Sequence, residues 1–185
     1  ITTNIGTRET GKSELSYRIA EFFDRPTFAV SPQQRPPRWI KRINLDQIVA
    51  DVPEMSTLIL DDLPSYASNR DYNDQLVRVI EHIIPMVRHE RQPPDFPVGK
   101  VHLIFNTQSA AQADKYILDC DLAFFKPLGL LYADLERPAI KKIYQEIVMP
   151  LFDGHTDPWI QRHAFMFSRS WKGLIEYHMS EKLPR

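Results

Sequence analysis

The clearest chemistry in the sequence lies near its amino end, in the run Gly6-Thr7-Arg8-Glu9-Thr10-Gly11-Lys12-Ser13. It fills every position of the Gly-x4-Gly-Lys-Ser (Walker A) pattern, a loop that cradles phosphate. The glycines permit backbone conformations that turn several N–H groups toward one anion. A helix starting at the loop would aim its positive end at the same place. Lys12 supplies a point charge for the β- and γ-phosphates, and the Ser13 hydroxyl a ligand for Mg2+. Gly6, Thr7, Arg8, Glu9, Thr10, Gly11, Lys12, Ser13 and the next residue, Glu14, are thus the expected nucleotide contacts. Only six glycines occur in the chain and two of them sit here, which argues against a chance match.

Two more runs can join that loop. Leu58-Ile59-Leu60-Asp61-Asp62 is an apolar stretch ending in two carboxylates. Asp61 is placed to hold the Mg2+ shell, and Asp62 to orient or deprotonate an attacking water. The plainer alternative is a strand that runs into an acidic turn. Leu103-Ile104-Phe105-Asn106-Thr107-Gln108 is a second apolar stretch ending in amides. If its strand lies between the first and third, Asn106 or Gln108 faces the γ-phosphate and senses it. Here too the alternative is a strand end that simply becomes a loop.

These residues need elements to hold them. Strands are expected at 1–5, 27–30, 57–60, 101–105 and 122–125. Helices are expected at 12–23, 45–50, 71–87, 112–118 and 135–148. In the first long helix, Leu15, Ile19 and Phe22 share a helical spacing. Pro138 limits the last helix to a late start or to a first turn containing it. Prolines exclude a regular element at 31–38. Residues 164–167 and 174–177 flank Trp171-Lys172-Gly173 as a β-hairpin. Alternating strands and helices predict an α/β fold with a largely parallel sheet.

At 185 residues the chain suits one domain, and 43% apolar content is enough for a core. The 23 basic and 24 acidic residues leave a net charge of −1, so nucleic acid would have to be gripped by a local patch or by an assembled ring. A single cysteine, Cys120, excludes an internal disulfide framework and a multi-cysteine zinc site. No apolar run approaches the ~20 residues that span a bilayer, and no signal-peptide pattern is present. The chain opens on Ile1 at the start of a strand, which implies residues upstream of it.

Taken together, the glycine loop, Leu-Ile-Leu-Asp-Asp, a long helix ending in Arg88-His89, Leu-Ile-Phe-Asn-Thr-Gln and the following Asp119-Cys120-Asp121-Leu122-Ala123-Phe124-Phe125-Lys126 resemble the additional-strand, catalytic-glutamate P-loop ATPases. Within them the HerA/FtsK branch is most similar, especially viral genome-packaging ATPases. The resemblance runs from Ile1 to about Lys126. It implies a three-layer RecA-like P-loop fold with sheet order 5-1-4-3-2. The expected division of the chain is 1–157 as the ATPase core and 158–185 as a C-terminal β-hairpin and tail extending the same domain. It implies ATP and Mg2+ as cofactors and Gln108 as the sensor. Arg88 or Arg70 would be the arginine finger, reaching a neighbouring subunit of a ring. A surface role for each arginine is the alternative. Asp62 stands where the branch usually has glutamate, one methylene longer.

The expected function is an ATP-hydrolysing translocase of double-stranded DNA, working as a pentameric or hexameric ring. A viral packaging ATPase, acting in the host cytoplasm or at the virion packaging vertex with a capsid or portal-vertex partner, is the finer expectation. A P-loop small-molecule kinase and a filamentous-phage-assembly ATPase of the zonula occludens toxin type are the alternatives. Arg35-Pro36-Pro37-Arg38-Trp39-Ile40-Lys41-Arg42 either grips a phosphate backbone, with Trp39 stacked on a base, or is a stiff surface loop anchored by a buried tryptophan. The six histidines form no zinc-protease pattern.

Overall fold

The computed structural model describes residues 1–31, 35–61, 101–108, 120–129 and 135–178. The helices expected at 71–87 and 112–118, and with them Asp62, Arg70 and Arg88, lie outside the described residues. The first half of the chain runs β1 (Thr2–Ile5), the phosphate loop, α1 (Lys12–Phe23), β2 (Thr27–Val30) and β3 (Lys41–Arg42). A 3-10 turn (Leu45–Gln47) leads into α2 (Ile48–Asp51), and β4 (Thr57–Leu60) follows. After β5 (His102–Thr107) and β6 (Leu122–Phe125) come α3 (Pro138–Ile143), a π-helical turn (Tyr144–Val148) and α4 (Met149–Phe152). The described chain closes with α5 (Asp157–Arg162), β7 (His163–Ser168) and β8 (Lys172–Glu176).

All of these strands form one mostly parallel sheet in the order β3-β2-β4-β5-β1-β6-β7-β8. That order differs from the five-stranded sheet expected from sequence by strands added at both edges; between them β6-β1-β5-β4-β2 follow the expected 5-1-4-3-2. At one edge Lys41 and Arg42 pair with Phe28 and Ala29 and add a short strand. At the other, the hairpin does not stand apart from the core. β7 pairs antiparallel with β6, setting Phe165 against Phe125, and β8 pairs with β7. The two phenylalanine rings lie 6.4 Å apart, so pairing the hairpin onto the sheet extends its apolar surface. β1 lies between β5 and β6.

Strand alternation sends side chains to both faces, and both are covered. On one face, Ala29, Ile59 and Ile104 pack under Tyr17 and Ala20 of α1, while Leu15 meets Phe124, Ala164 and Tyr177. On the other, Ile5, Phe125 and Phe165 pack under Tyr144, Val148 and Phe152. The result is three layers, helix on sheet on helix.

Helix α1 begins and ends where its spacing predicts, but one of its expected core residues is misplaced. Phe22 is 84% exposed. In the last turn Phe23 meets the sheet instead, its ring 4.2 Å from that of His102 at the start of β5. Helix α3 starts with Pro138 in its first turn. Pro150 then offers no N–H and crowds the carbonyl four residues back, at Glu146. The backbone widens into the π turn just ahead of it. That places Tyr144 fully buried, with its hydroxyl donating to Ile5 O at 3.3 Å, the last carbonyl of β1.

Candidate active site

The phosphate loop leaves β1 between its two neighbouring strands and is tied to both. Gly6 N–H donates to Thr107 O of β5 at 3.2 Å, and Thr7 N–H to Pro127 O, just beyond β6, at 3.1 Å. The Thr7 hydroxyl donates to the same Pro127 carbonyl. Thr10 Oγ1 closes the loop on Thr7 O at 2.8 Å. Two residues take left-handed conformations: Glu9 with φ 63° and Gly11 with φ 86°. At Gly11 a Cβ would also stand 2.6 Å from Gln161 O, and at Gly6 one would stand 2.7 Å from Lys126 Cβ. Gly11 is therefore required by space as well as by conformation, and Gly6 by space.

Lys12 opens α1 and curls back over the loop, its ammonium donating to Thr7 O at 2.6 Å. Arg8 and Glu9 are exposed on the loop, and Glu14 lies in the first turn of α1. The charge of Glu14, after burial, helps push the Tyr17 and Tyr177 phenols above their ordinary range.

Asp61 follows β4 and lies beside the start of α1. Its Oδ2 accepts from Ser13 Oγ at 2.9 Å, and its Oδ1 from Asn106 Nδ2 at 2.8 Å. Asn106 is fully buried, and its Oδ1 accepts from Asn4 Nδ2 and from Ser16 Oγ, both at 2.8 Å. Asn4 Nδ2 also lies 2.9 Å from Ser16 Oγ. A polar wedge of Asn4, Ser13, Ser16, Asp61 and Asn106 thus sits between the sheet and α1. The carboxylate adds to the rise of the neighbouring Tyr17 phenol, for which burial is the first cause.

The structure brings together the loop, Ser13 and Asp61. β5 does lie between β1 and β4, and its two amides part company: Asn106 turns inward to hold Asp61, while Gln108 leaves the strand half-buried, directly after the Thr107 that receives Gly6. Asn4 and Ser16 were not singled out by sequence reasoning. An asparagine inside a buried strand, and a serine one turn after Ser13 on the same helix face, were the available signals. Trp39 packs against the core cluster beneath α1, which fits an anchored surface loop better than a stacked base. Lys41 at that edge is paired with Asp51 at 3.3 Å.

The donors suit Mg2+, a hard cation that takes oxygen ligands and is commonly held by one or two protein groups plus phosphate. Ser13 Oγ and Asp61 Oδ2 are such oxygens and are already adjacent. Among the described residues no group of three or more His, Cys, Asp or Glu could hold a metal by itself. A cation here would depend on the phosphate as well.

A mostly parallel sheet, a Gly-x4-Gly-Lys-Ser loop between β1 and α1, and an acidic residue after another strand of the sheet are the marks of a P-loop nucleoside triphosphatase fold. The structure is similar to EssC (ATPases 2 and 3) from Geobacillus thermodenitrificans, with a TM-score of 0.52 and 10% sequence identity. The match covers 96% of this chain and 39% of that one. At that identity the likeness speaks to the fold. No family model matches the chain, and no curated protein matches its sequence.

Proposed function

We propose that this protein hydrolyses ATP and uses the energy to move nucleic acid, working as a ring of identical subunits. One observation carries the hydrolytic part: Ser13 of the phosphate-loop helix and Asp61 of a separate strand share a hydrogen bond at 2.9 Å. That contact aligns two oxygens where a loop-bound triphosphate would carry its magnesium, which, when bound, would screen the phosphate charge. The chain's own residues do the rest. The loop amides and Lys12 bind the β- and γ-phosphates, and Asn106 fixes the Asp61 carboxylate. Asp62, next in sequence, is the proposed base for the attacking water. Gln108 is the proposed γ-phosphate sensor, and Arg88 or Arg70 the finger supplied to a neighbouring subunit.

The translocase reading is supported by the order of motifs in the sequence and by the fold similarity to an ATPase. Double-stranded DNA is the proposed substrate, and viral genome packaging, in the host cytoplasm or at a packaging vertex, is the finest form of the proposal. It rests on the motif resemblance. No helix among the described residues is long and apolar enough to cross a membrane.

The test is the rate of phosphate release from ATP with and without duplex DNA. A several-fold rise with DNA, abolished by Lys12→Ala, is the expected result. Hydrolysis indifferent to DNA and RNA would remove the translocase, and label appearing on a nucleoside or metabolite would point to a kinase.

A further inference from the structure

Lys126 is the only buried lysine among the described residues, and nothing in the proposed chemistry uses it. It follows β6 directly and lies behind the phosphate loop. Its ammonium has three hydrogens and three carbonyls within reach: Thr10 O, Ile160 O at 2.6 Å and Gln161 O at 3.3 Å. It also lies 5.1 Å from the centre of the Tyr177 ring, a cation–π distance. Burial first, and then the neighbouring Lys12 ammonium, lower its pKa to about 7.

Two further groups from the C-terminal unit reach the same stretch of loop. Gln161 Nε2 donates to Glu9 O at 3.3 Å, and the Tyr177 hydroxyl donates to Gly11 O at 3.1 Å. Three consecutive loop carbonyls, those of Glu9, Thr10 and Gly11, are therefore gripped by Gln161, Lys126 and Tyr177. A trans peptide points its N–H opposite to its carbonyl. Holding these carbonyls on the outside of the loop turns the N–H groups of Thr10, Gly11 and Lys12 the other way, toward the side where a phosphate binds.

We propose that Lys126, with Tyr177 and Gln161, is a positioning device that pre-orients the phosphate loop, so that the C-terminal helix and hairpin set its affinity for the polyphosphate chain. This rests on the reading of the loop as a triphosphate site. None of the three touches the ligand. They act by fixing the peptide planes that do, and Lys126 also satisfies the buried Thr10 carbonyl. Lys126 also joins the loop to the last carbonyls of α5, which carry the negative end of that helix.

The effect should fall on phosphate rather than on base, so the probe is inorganic tripolyphosphate beside a fluorescent ATP analogue, each titrated calorimetrically or by fluorescence. Lys126→Met is expected to weaken both by the same factor, about tenfold or more, the scale of a lost charge-assisted hydrogen bond. Lys126→Arg, which keeps charge and donors, should recover part of that loss, a rescue that mere core filling by methionine would not need. Tyr177→Phe removes one oxygen and leaves the ring. It is the variant to rely on if Lys126→Met does not fold, with an expected loss of about threefold. Wild-type protein that binds tripolyphosphate while a folded Lys126→Met or Tyr177→Phe binds it equally well would overturn the positioning role alone. Wild-type protein that binds neither probe would remove the parent reading as well.

Discussion

Asp61 ends a wholly buried apolar strand, and a carboxylate in that position needs partners to stay oriented. It has them in Ser13 and Asn106, and Asn106 is in turn held by Asn4 and Ser16. Such supporting groups typically change metal affinity or activity by about 10- to 100-fold when removed. Asn106→Leu is accordingly expected to raise the Mg2+ concentration needed for half-maximal ATP hydrolysis by about that range. Ser16→Ala should move it the same way by less, because only a hydroxyl is lost. Hydrolysis rate against Mg2+ concentration measures both, and an unchanged Mg2+ requirement in a folded Asn106→Leu protein would contradict the assignment. Ser13 and Asp61 were legible in the sequence because loop chemistry fixes one by spacing and strand ends suggest the other. The division of labour between Asn106 and Gln108 was not. Two amides two residues apart can trade roles until the neighbouring strand shows which one meets the carboxylate.

Elements follow the sequence where local signals agree and depart where tertiary contacts decide. Helix α1 spans Lys12–Phe23, bounded by two left-handed residues, Gly11 and Asp24. Its periodicity nevertheless misassigns Phe22, because the last turn presents Phe23 to β5. Strand β3 has only two residues and sits in a charged, proline-flanked segment, so its pairing with β2 leaves no periodic trace. The π turn before Pro150 is the opposite case, since the proline gives a local reason for it. Its consequence is the burial of Tyr144 against Phe125, ring centroids 5.6 Å apart, under the end of β1. Tyr144→Ala is expected to cost about 3–5 kcal/mol of stability, the range for emptying a large aromatic site. Tyr144→Phe, which removes only the bond to Ile5 O, should cost about 1 kcal/mol. Urea denaturation compares them, and a loss from Tyr144→Ala no larger than that from Tyr144→Phe would mean the ring is not a core element.

At the scale of the molecule, the contacts that finish the phosphate loop come from far along the chain. Lys126 reaches Thr10 across 116 positions, and Tyr177 reaches Gly11 across 166. Short-range patterns cannot carry such information. A lysine directly after the Leu-Ala-Phe-Phe strand and an aromatic hairpin are visible in the sequence, but that both fold onto the loop depends on β7 joining β6. The parallel sheet and the loop at its centre were legible from the alternation of elements. The eight-stranded order was not, because both additional edges arise from pairings outside the motifs. The proposal for the molecule as a whole is a phosphate cradle closed in front by Lys12 and braced behind by Lys126, Gln161 and Tyr177.

The most direct measurement of that claim is binding of a fluorescent ATP analogue, titrated with and without Mg2+, to wild-type and Lys12→Ala protein. The account predicts saturable binding at micromolar concentration that Mg2+ strengthens and that Lys12→Ala weakens by at least about tenfold, the scale of a charge-assisted bond to phosphate. No saturable binding to folded wild-type protein at millimolar nucleotide, or equal affinity in the Lys12→Ala variant, would contradict it.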